Sequence, residues 1–276
     1  MNSIRLVTFD ALHTLITPRL PIYVQYSQVF EPYIGSLPPD RIKDSFKVAL
    51  RAIQKKHPSY EKGARNWWRE VIRRTAVDAG ANEQRKALGL TTSSSPLTTQ
   101  AANSPLNAHL DEIVDTLMTR FSSRAGYKAF DDAIPIIRQL QENMNIRTAV
   151  LSNGDSRIRA VLTDLEFPKY LKPIILSEEE GVEKPSQEIF DRTLYAINKD
   201  ASTSQEQIHP SQCLHVGDEL NCDFHGAKRA GWNALLIRRK GPEGDQEHKE
   251  ANEDLADVQT VNDLYSVVHW VQENYK

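Results

Sequence analysis

Cysteine is scarce in this chain of 276 residues: Cys213 and Cys222 are the whole supply. Two thiols cannot make a disulfide framework, and such low usage suits a reducing compartment. Long apolar runs are missing as well. No stretch approaches the roughly 20 residues that a membrane-spanning helix needs. A basic excess is also absent, since 34 Lys and Arg face 37 Asp and Glu for a formal net charge of -3. That balance argues against nucleic acid or an acidic membrane surface as a partner. The first apolar run begins at Ile4, which leaves no room before it for a signal or transit peptide. The expectation is a monomeric cytosolic protein, entering the nucleus at most by diffusion. Internal repeats are missing too. What remains is ordinary: 39% hydrophobic and 26% charged residues, enough apolar surface for one large domain or for a core with a smaller companion.

The run Ile4, Leu6, Val7, Phe9 is short, apolar and partly β-branched. It reads as a strand buried on both faces, as in a parallel sheet, and it ends on Asp10. After Pro18 and Pro21 the pattern changes to helical spacing. Ile22, Tyr26, Val29, Phe30 and Tyr33 mark one helix, and Ile42, Phe46, Ala49, Leu50 and Ile53 a second. Trp68, Val71, Ile72 and Thr75 mark a third, and Leu110, Ile113, Leu117, Met118 and Phe121 a fourth. Residues 91–105, rich in Ser, Thr, Pro and Asn, read as a mobile loop. Trp67 and Trp68 read as bundle core in preference to a binding cage.

From Asp131 strands and helices alternate. Strands are expected at 147–151, 173–176, 213–216 and 233–237. Helices are expected at 133–142, 156–165, 186–197, 222–230 and around 264–271. Alternation of this kind implies right-handed crossovers and a parallel sheet. The fold class is therefore α/β, a Rossmann-like core formed by 1–17 and 129–276, with a helical unit, 18–128, inserted after the first strand.

Chemistry gathers where the strands end. Parallel strands deliver their carboxyl ends to one edge, where open α/β sheets bind ligands. Asp10, Ser152-Asn153 and Gly217-Asp218 all stand at such ends, with Asp223 a helical turn onward and Lys184 before the 186–197 helix. Asp10, Asp218 and Asp223 together would repel one another. A hard divalent cation with oxygen ligands, Mg²⁺, resolves that repulsion. Ser152 and the amides near Asn153 offer donors to an anion, and Lys184 a point charge. Taken singly, Asp155 and Asp223 read as helix caps and Lys184 as a solvated lysine.

The order Asp10-x-x-x-Thr14, Ser152-Asn153, Lys184-Pro185, Gly217-Asp218-x-x-x-x-Asp223 resembles the haloacid dehalogenase (HAD) superfamily. The resemblance covers nearly the whole chain, and the helical insertion with its paired tryptophans is similar to that family's helical cap. It implies that Asp10 is a nucleophile forming an aspartyl phosphate. It implies that Ser152 binds the transferring phosphoryl group, that Asn153 adds to substrate binding, and that Lys184 neutralises charge. It implies a Mg²⁺ site made of Asp10, the Leu12 carbonyl, Asp218 and, through water or by orienting neighbours, Asp223. The substrate implied is a small phosphorylated molecule.

One position departs from the family's phosphatases, whose second Asp of D-x-D protonates the leaving oxygen and later activates water. Here Leu12 stands there, and a leucine transfers no proton. His13, at the family's usual glycine position, is a weaker candidate for that duty than for packing or turn formation. Three readings stay open. They are a Mg²⁺-dependent phosphatase of low or specialised activity, a phosphate- or metabolite-binding pseudoenzyme, and a 2-haloacid dehalogenase, whose halide needs no proton. The intact Gly217-Asp218 ranks the dehalogenase last.

Overall fold

A computed structural model describes the chain except residues 1, 2, 62, 82–103, 200, 204, 243, 245–248, 250, 251, 275 and 276. It divides into two compact units, 1–17 with 127–276, and 18–126.

The first unit is built on a six-stranded sheet in the order β5-β4-β1-β6-β7-β8, in which each described pairing is parallel. The strands are β1 Leu6–Phe9, β4 Arg147–Ser152, β5 Ile174–Leu176, β6 Cys213–Gly217, β7 Asn233–Ile237 and β8 Thr260–Val261. Side chains alternate across a strand, and both faces are apolar. Val7, Phe9, Val150, Leu214, Val216, Leu235 and Ile237 enter one core cluster, with Ile136, Leu140, Val161, Val267 and Val271 from helices on that side. Leu6, Ala149, Leu151, Cys213, Ala234 and Leu236 enter a second, with Ile189, Phe190, Ile197 and Ala227 from helices on the other. The result is a three-layer α/β/α sandwich, as the continuous apolar runs require.

The order 4-1-6 has a consequence for ligands. The chain winds from β1 outward through β4 to β5, then returns to β6 and winds the other way. The reversal lies between β1 and β6, the position at whose carboxyl ends open α/β sheets bind ligands.

Several elements differ from the sequence reading. A two-stranded ribbon, β2 Ile16–Pro18 with β3 Tyr127–Ala129, has no counterpart in it, because three residues are too few to show alternation. The β3 strand starts the second core segment at 127 in place of 129. The expected helix at 222–230 is instead a wide π-type turn, Leu220–His225, followed by the short helix Gly226–Arg229.

The inserted unit carries four helices among the described residues: α1 Ile22–Ile34, α2 Pro39–Lys56, α3 Ala64–Ala76 and α4 Pro105–Arg120. Their ends follow from local chemistry. Pro39 starts α2 with Asp40 in its first turn and Lys55 and Lys56 in its last, matching the helix dipole. The Ser104 hydroxyl caps α4 by accepting from the Asn107 N–H at 3.2 Å. Residues 91–103 of the expected loop lie outside the described residues, whereas Ser104 and Pro105 begin a helix. Trp67 is buried in a cluster with Ala49, Ile53 and Val71, and Trp68 packs against that cluster. Trp68 is half-buried, its ring edge-on to Trp67 at 4.9 Å.

On α3, Glu70 accepts from Arg73 and Arg74 at 2.7–2.9 Å. The bonds from Arg73, opposed by partial burial and aided by Arg74, hold its carboxyl down at about 2. A carboxyl depressed in the folded state contributes stability above its unfolded pKa and loses it as pH falls through the folded one. The Glu70 side chain is 34% exposed, so solvent screening trims the contribution to ~1 kcal/mol. Glu70→Gln is expected to lower unfolding free energy by ~1 kcal/mol at neutral pH, with the difference shrinking between about pH 4.5 and pH 2. Urea titrations of both proteins across that range check it.

Candidate active site

Phe9 pairs with Val150 of β4 on one side and with Val216 of β6 on the other. Asp10, Ser152 and Asp218 therefore leave three neighbouring strands within two residues of one line. All three are buried. The Asp10 N–H continues the ladder, donating to the Val216 carbonyl at 2.8 Å.

Lys184 reaches this edge from the segment before helix Gln187–Asn198, and only 2% of it is exposed. Its ammonium donates to Asp10 Oδ1 at 2.7 Å, to Asp223 Oδ1 at 2.5 Å and to the Leu151 carbonyl at 2.9 Å. Its three N–H donors thus match three acceptors. Burial alone would depress this lysine, but the carboxylates of Asp10 and Asp223 outweigh it and raise the group above the ordinary lysine value. A solvated surface lysine is excluded.

Asn153 fixes the backbone from which Lys184 extends. Its carboxamide donates to the Lys184 carbonyl at 2.8 Å and accepts from the Lys184 N–H at 2.7 Å. The Asn153 carboxamide is thus engaged by the Lys184 backbone. Asp155 does act as a local cap, accepting from the Arg157 N–H at 3.0 Å.

Asp223, on the wide turn, is likewise committed. Oδ1 faces Lys184 Nζ at 2.5 Å and His215 Nε2 at 3.0 Å, and Oδ2 accepts from the Glu219 N–H at 2.8 Å. Burial opposes its charge, yet Lys184 and His215 hold it well below the usual carboxylate range. Asp10 differs. Burial, aided by the charge of Asp223, raises it despite Lys184 and Ser152. Of the two carboxylates sharing one ammonium, Asp223 is the fixed anion and Asp10 the more basic oxygen pair.

These contacts engage both Asp223 oxygens with protein donors. No three His, Cys, Asp or Glu side chains among the described residues converge as a metal site. The donors that suit Mg²⁺ are Asp10 and Asp218, two buried carboxylates at neighbouring strand ends, and the Leu12 carbonyl is the third that the sequence suggests. Hard oxygen donors of this kind fit that ion, which keeps part of its shell for water and phosphate.

The segment after β1 turns tightly. The His13 N–H donates to the Ile16 carbonyl, and the Leu15 and Ile16 N–H groups to that of Ala11. His13 has φ +61°, a conformation that glycine adopts without strain, in agreement with the position it occupies. Leu12 is half-buried and brings no titratable group.

Two residues were missed by sequence reasoning. Thr8 and His215 are register partners on β1 and β6, and the Thr8 hydroxyl lies 2.8 Å from His215 Nδ1. Burial pushes His215 below the ordinary histidine value, against the pull of Asp223. The available signal was a polar residue inside each of two apolar runs, at the same distance from the strand end.

Gly217 is required by contact. A Cβ there would lie 2.1 Å from Asp223 Cγ. Gly217→Ala is expected to displace the Asp223 carboxylate, stranding buried charge at a cost of about 3–5 kcal/mol. Gly226→Ala, whose Cβ would meet Phe190 at 3.1 Å, is the milder comparison, within about 1 kcal/mol because alanine favours the helix. Denaturant titration of both variants tests the difference.

A family profile described as haloacid dehalogenase-like hydrolase matches residues 4–231. An uncharacterized hydrolase of Schizosaccharomyces pombe is 29% identical over 238 residues, covering 85% of this chain and 90% of its own. Haloacid dehalogenase-like hydrolase domain-containing protein 3 of Homo sapiens is 25% identical over 239 residues, covering 85% and 82%. The magnesium-bound HAD-hydrolase YfnB of Bacillus subtilis shares the fold at a TM-score of 0.63 and 16% identity, covering 98% of this chain and 100% of that one. The L-2-haloacid dehalogenase of Xanthobacter autotrophicus with chloropropionic acid covalently bound does so at 0.59 and 16%, covering 98% of each. With its strand-end carboxylates and its buried lysine, the chain belongs to the haloacid dehalogenase-like hydrolase family.

Proposed function

We propose that this hydrolase is a phosphatase acting through an aspartyl phosphate on Asp10, with Mg²⁺ as cofactor and a small phosphorylated molecule as substrate. The observation that carries the reading is the buried Lys184 ammonium on Asp10, beside a second buried strand-end carboxylate, Asp218. A metal-binding acid is needed for phosphoryl transfer and has no part in displacing halide.

A carboxylate oxygen of Asp10 attacks phosphorus. The new O–P bond forms as the bond to the leaving oxygen breaks, and the electron pair departs with that oxygen. Water then attacks the phosphorus of the acyl phosphate, releasing inorganic phosphate and regenerating Asp10. Lys184 keeps Asp10 in one orientation and sets positive charge beside the incoming anion. Ser152 offers its hydroxyl at the tip of β4. Asp10, Asp218 and the Leu12 carbonyl would hold Mg²⁺, which when bound neutralises charge on the transferring phosphoryl.

Leu12 sets the limit. General acid–base help contributes about 10²–10⁴ in rate, and Leu12 supplies none. The leaving oxygen must depart unprotonated, which selects aryl or acyl phosphates over alkyl esters. That same leucine supports two other readings. A pseudoenzyme would bind phosphate and release none. A dehalogenase, favoured by Leu12 and the Ser152-Asn153-Gly154 turn, would liberate chloride from 2-chloropropionate without added metal.

The deciding measurement is phosphate release from a series of aryl phosphates. Rates are expected to need Mg²⁺, to rise steeply as the leaving phenol becomes more acidic, and to vanish in Asp10→Asn. Leu12→Asp should raise kcat on an alkyl phosphate by about 10²-fold or more, with a smaller gain on the most acidic phenol. No phosphate release from either protein would establish the pseudoenzyme, and metal-independent chloride release the dehalogenase.

A further inference from the structure

The polar chain that begins at Asp10 does not end at Asp223. Beyond Asp223 Oδ1 lies His215 Nε2 at 3.0 Å, and beyond His215 Nδ1 the Thr8 hydroxyl at 2.8 Å. His215 and Thr8 are both fully buried. Nothing in the proposed chemistry touches substrate at either residue, yet two polar side chains inside an otherwise apolar layer are costly unless each is satisfied.

The directions of these bonds follow from donor and acceptor inventory. An ionised carboxylate only accepts, so the proton between His215 and Asp223 sits on Nε2. With that proton in place, a neutral ring presents Nδ1 as an acceptor. Thr8 then donates its single hydroxyl proton to Nδ1, the closer of its two contacts, the Leu214 carbonyl being 3.4 Å away. Each link carries one proton and none is left over. The ring plane is held by packing too: Phe190 meets it edge-on at 5.6 Å, and Trp232 backs Phe190 at 5.4 Å.

We infer that His215, set in one tautomer by Asp223 and held at Nδ1 by Thr8, is a positioning residue that pins Asp223 Oδ1 and thereby sets how Lys184 is shared between Asp223 and Asp10. Without the Nε2–H donor, Asp223 Oδ1 has Lys184 as its sole partner and draws the ammonium from Asp10. The consequence for turnover rests on the aspartyl-phosphate reading. The placement of Lys184 does not, and the experiments keep the two apart.

The first experiment needs no activity. In protein labelled with ¹⁵N-histidine, His215 is expected to carry its proton on Nε2 alone, and Thr8→Val to keep that tautomer while shifting the Nδ1 resonance as its donor is lost. In protein labelled with ¹⁵N-lysine, the Lys184 ammonium protons are expected to exchange slowly with water. His215→Leu should speed that exchange about tenfold, the weight of one hydrogen bond. His215→Gln, whose amide can donate from the same place, should stay within about twofold of wild type. A proton on Nδ1 in wild type, an unmoved Nδ1 resonance in Thr8→Val, or equal lysine exchange in the Leu and Gln variants would overturn the inference. Should His215→Leu not fold, the wild-type tautomer and the Thr8→Val spectrum still decide it. The second experiment is aryl phosphate hydrolysis. His215→Leu should lose about tenfold in kcat with KM little changed, and His215→Gln should recover most of it. If wild type releases no phosphate, the phosphatase reading fails while the tautomer and exchange results stand by themselves.

Discussion

A lysine ammonium placed inside a protein is tolerated only where acceptors replace the water it gives up, because desolvation costs several kcal/mol per ion. Lys184 is in that position, and its acceptors come from three separate parts of the sheet. Asp10 follows β1, the Leu151 carbonyl belongs to β4, and Asp223 lies on the turn after β6. The three converge only if β4, β1 and β6 are neighbours with parallel ends. The strand order and the site are thus one requirement. The crossovers that wrap helices over both faces of the sheet also bring these three acceptors to a single ammonium.

That requirement assigns different duties to similar side chains. Asp223 receives three donors and is held as an anion, and Asp10 receives fewer and is pushed up by burial. Two carboxylates on one lysine would be interchangeable in isolation; their surroundings separate them into a fixed anion and, on the proposed reading, the attacking group. Gly217 belongs to the same design. Its missing Cβ is the space that the Asp223 carboxylate occupies. The pairing of glycine with aspartate at this strand end is therefore steric as much as electrostatic.

Much of this was legible in the chain. The apolar run before Asp10, the serine after β4 and the aspartate after β6 are all strand-end signals, and a parallel sheet puts strand ends together whatever their separation in sequence. Lys184 was legible because a proline follows it and a helix starts soon after. What could not be read were contacts made by chemically neutral groups. Asn153 binds the Lys184 backbone across a turn, and a carboxamide gives no hint of whether its partner is protein or ligand. Thr8 and His215 sit inside strands whose apolar neighbours dominate the pattern, and only their register reveals the pair. In the inserted unit, periodicity marked the helices and put Trp68 against the core, but adjacent tryptophans give no phase of their own, so it could not tell that Trp67 is the more buried of the two.

The charge on the inserted unit gives a last indication of where substrate recognition resides. Arg65 and Arg69 make α3 look basic, a feature that could attract an anion or merely coat a helix. They are paired across to α4: Arg65 with Asp115 at 2.8 Å and Arg69 with Asp111 at 2.9 Å. Exposed pairs of this kind contribute little stability, about 0–1 kcal/mol each, but they cancel the field an approaching anion would feel beyond a few ångströms. Arg73 and Arg74 are similarly engaged by Glu70. On the proposed reading, the positive charge at the sheet edge is that of Lys184, and it too is shared, with Asp10 and Asp223. Such contacts are strong in a low dielectric, so this ammonium serves first to hold the two carboxylates, and offsetting the charge of an incoming phosphoryl group would fall to the cation that Asp10 and Asp218 would hold.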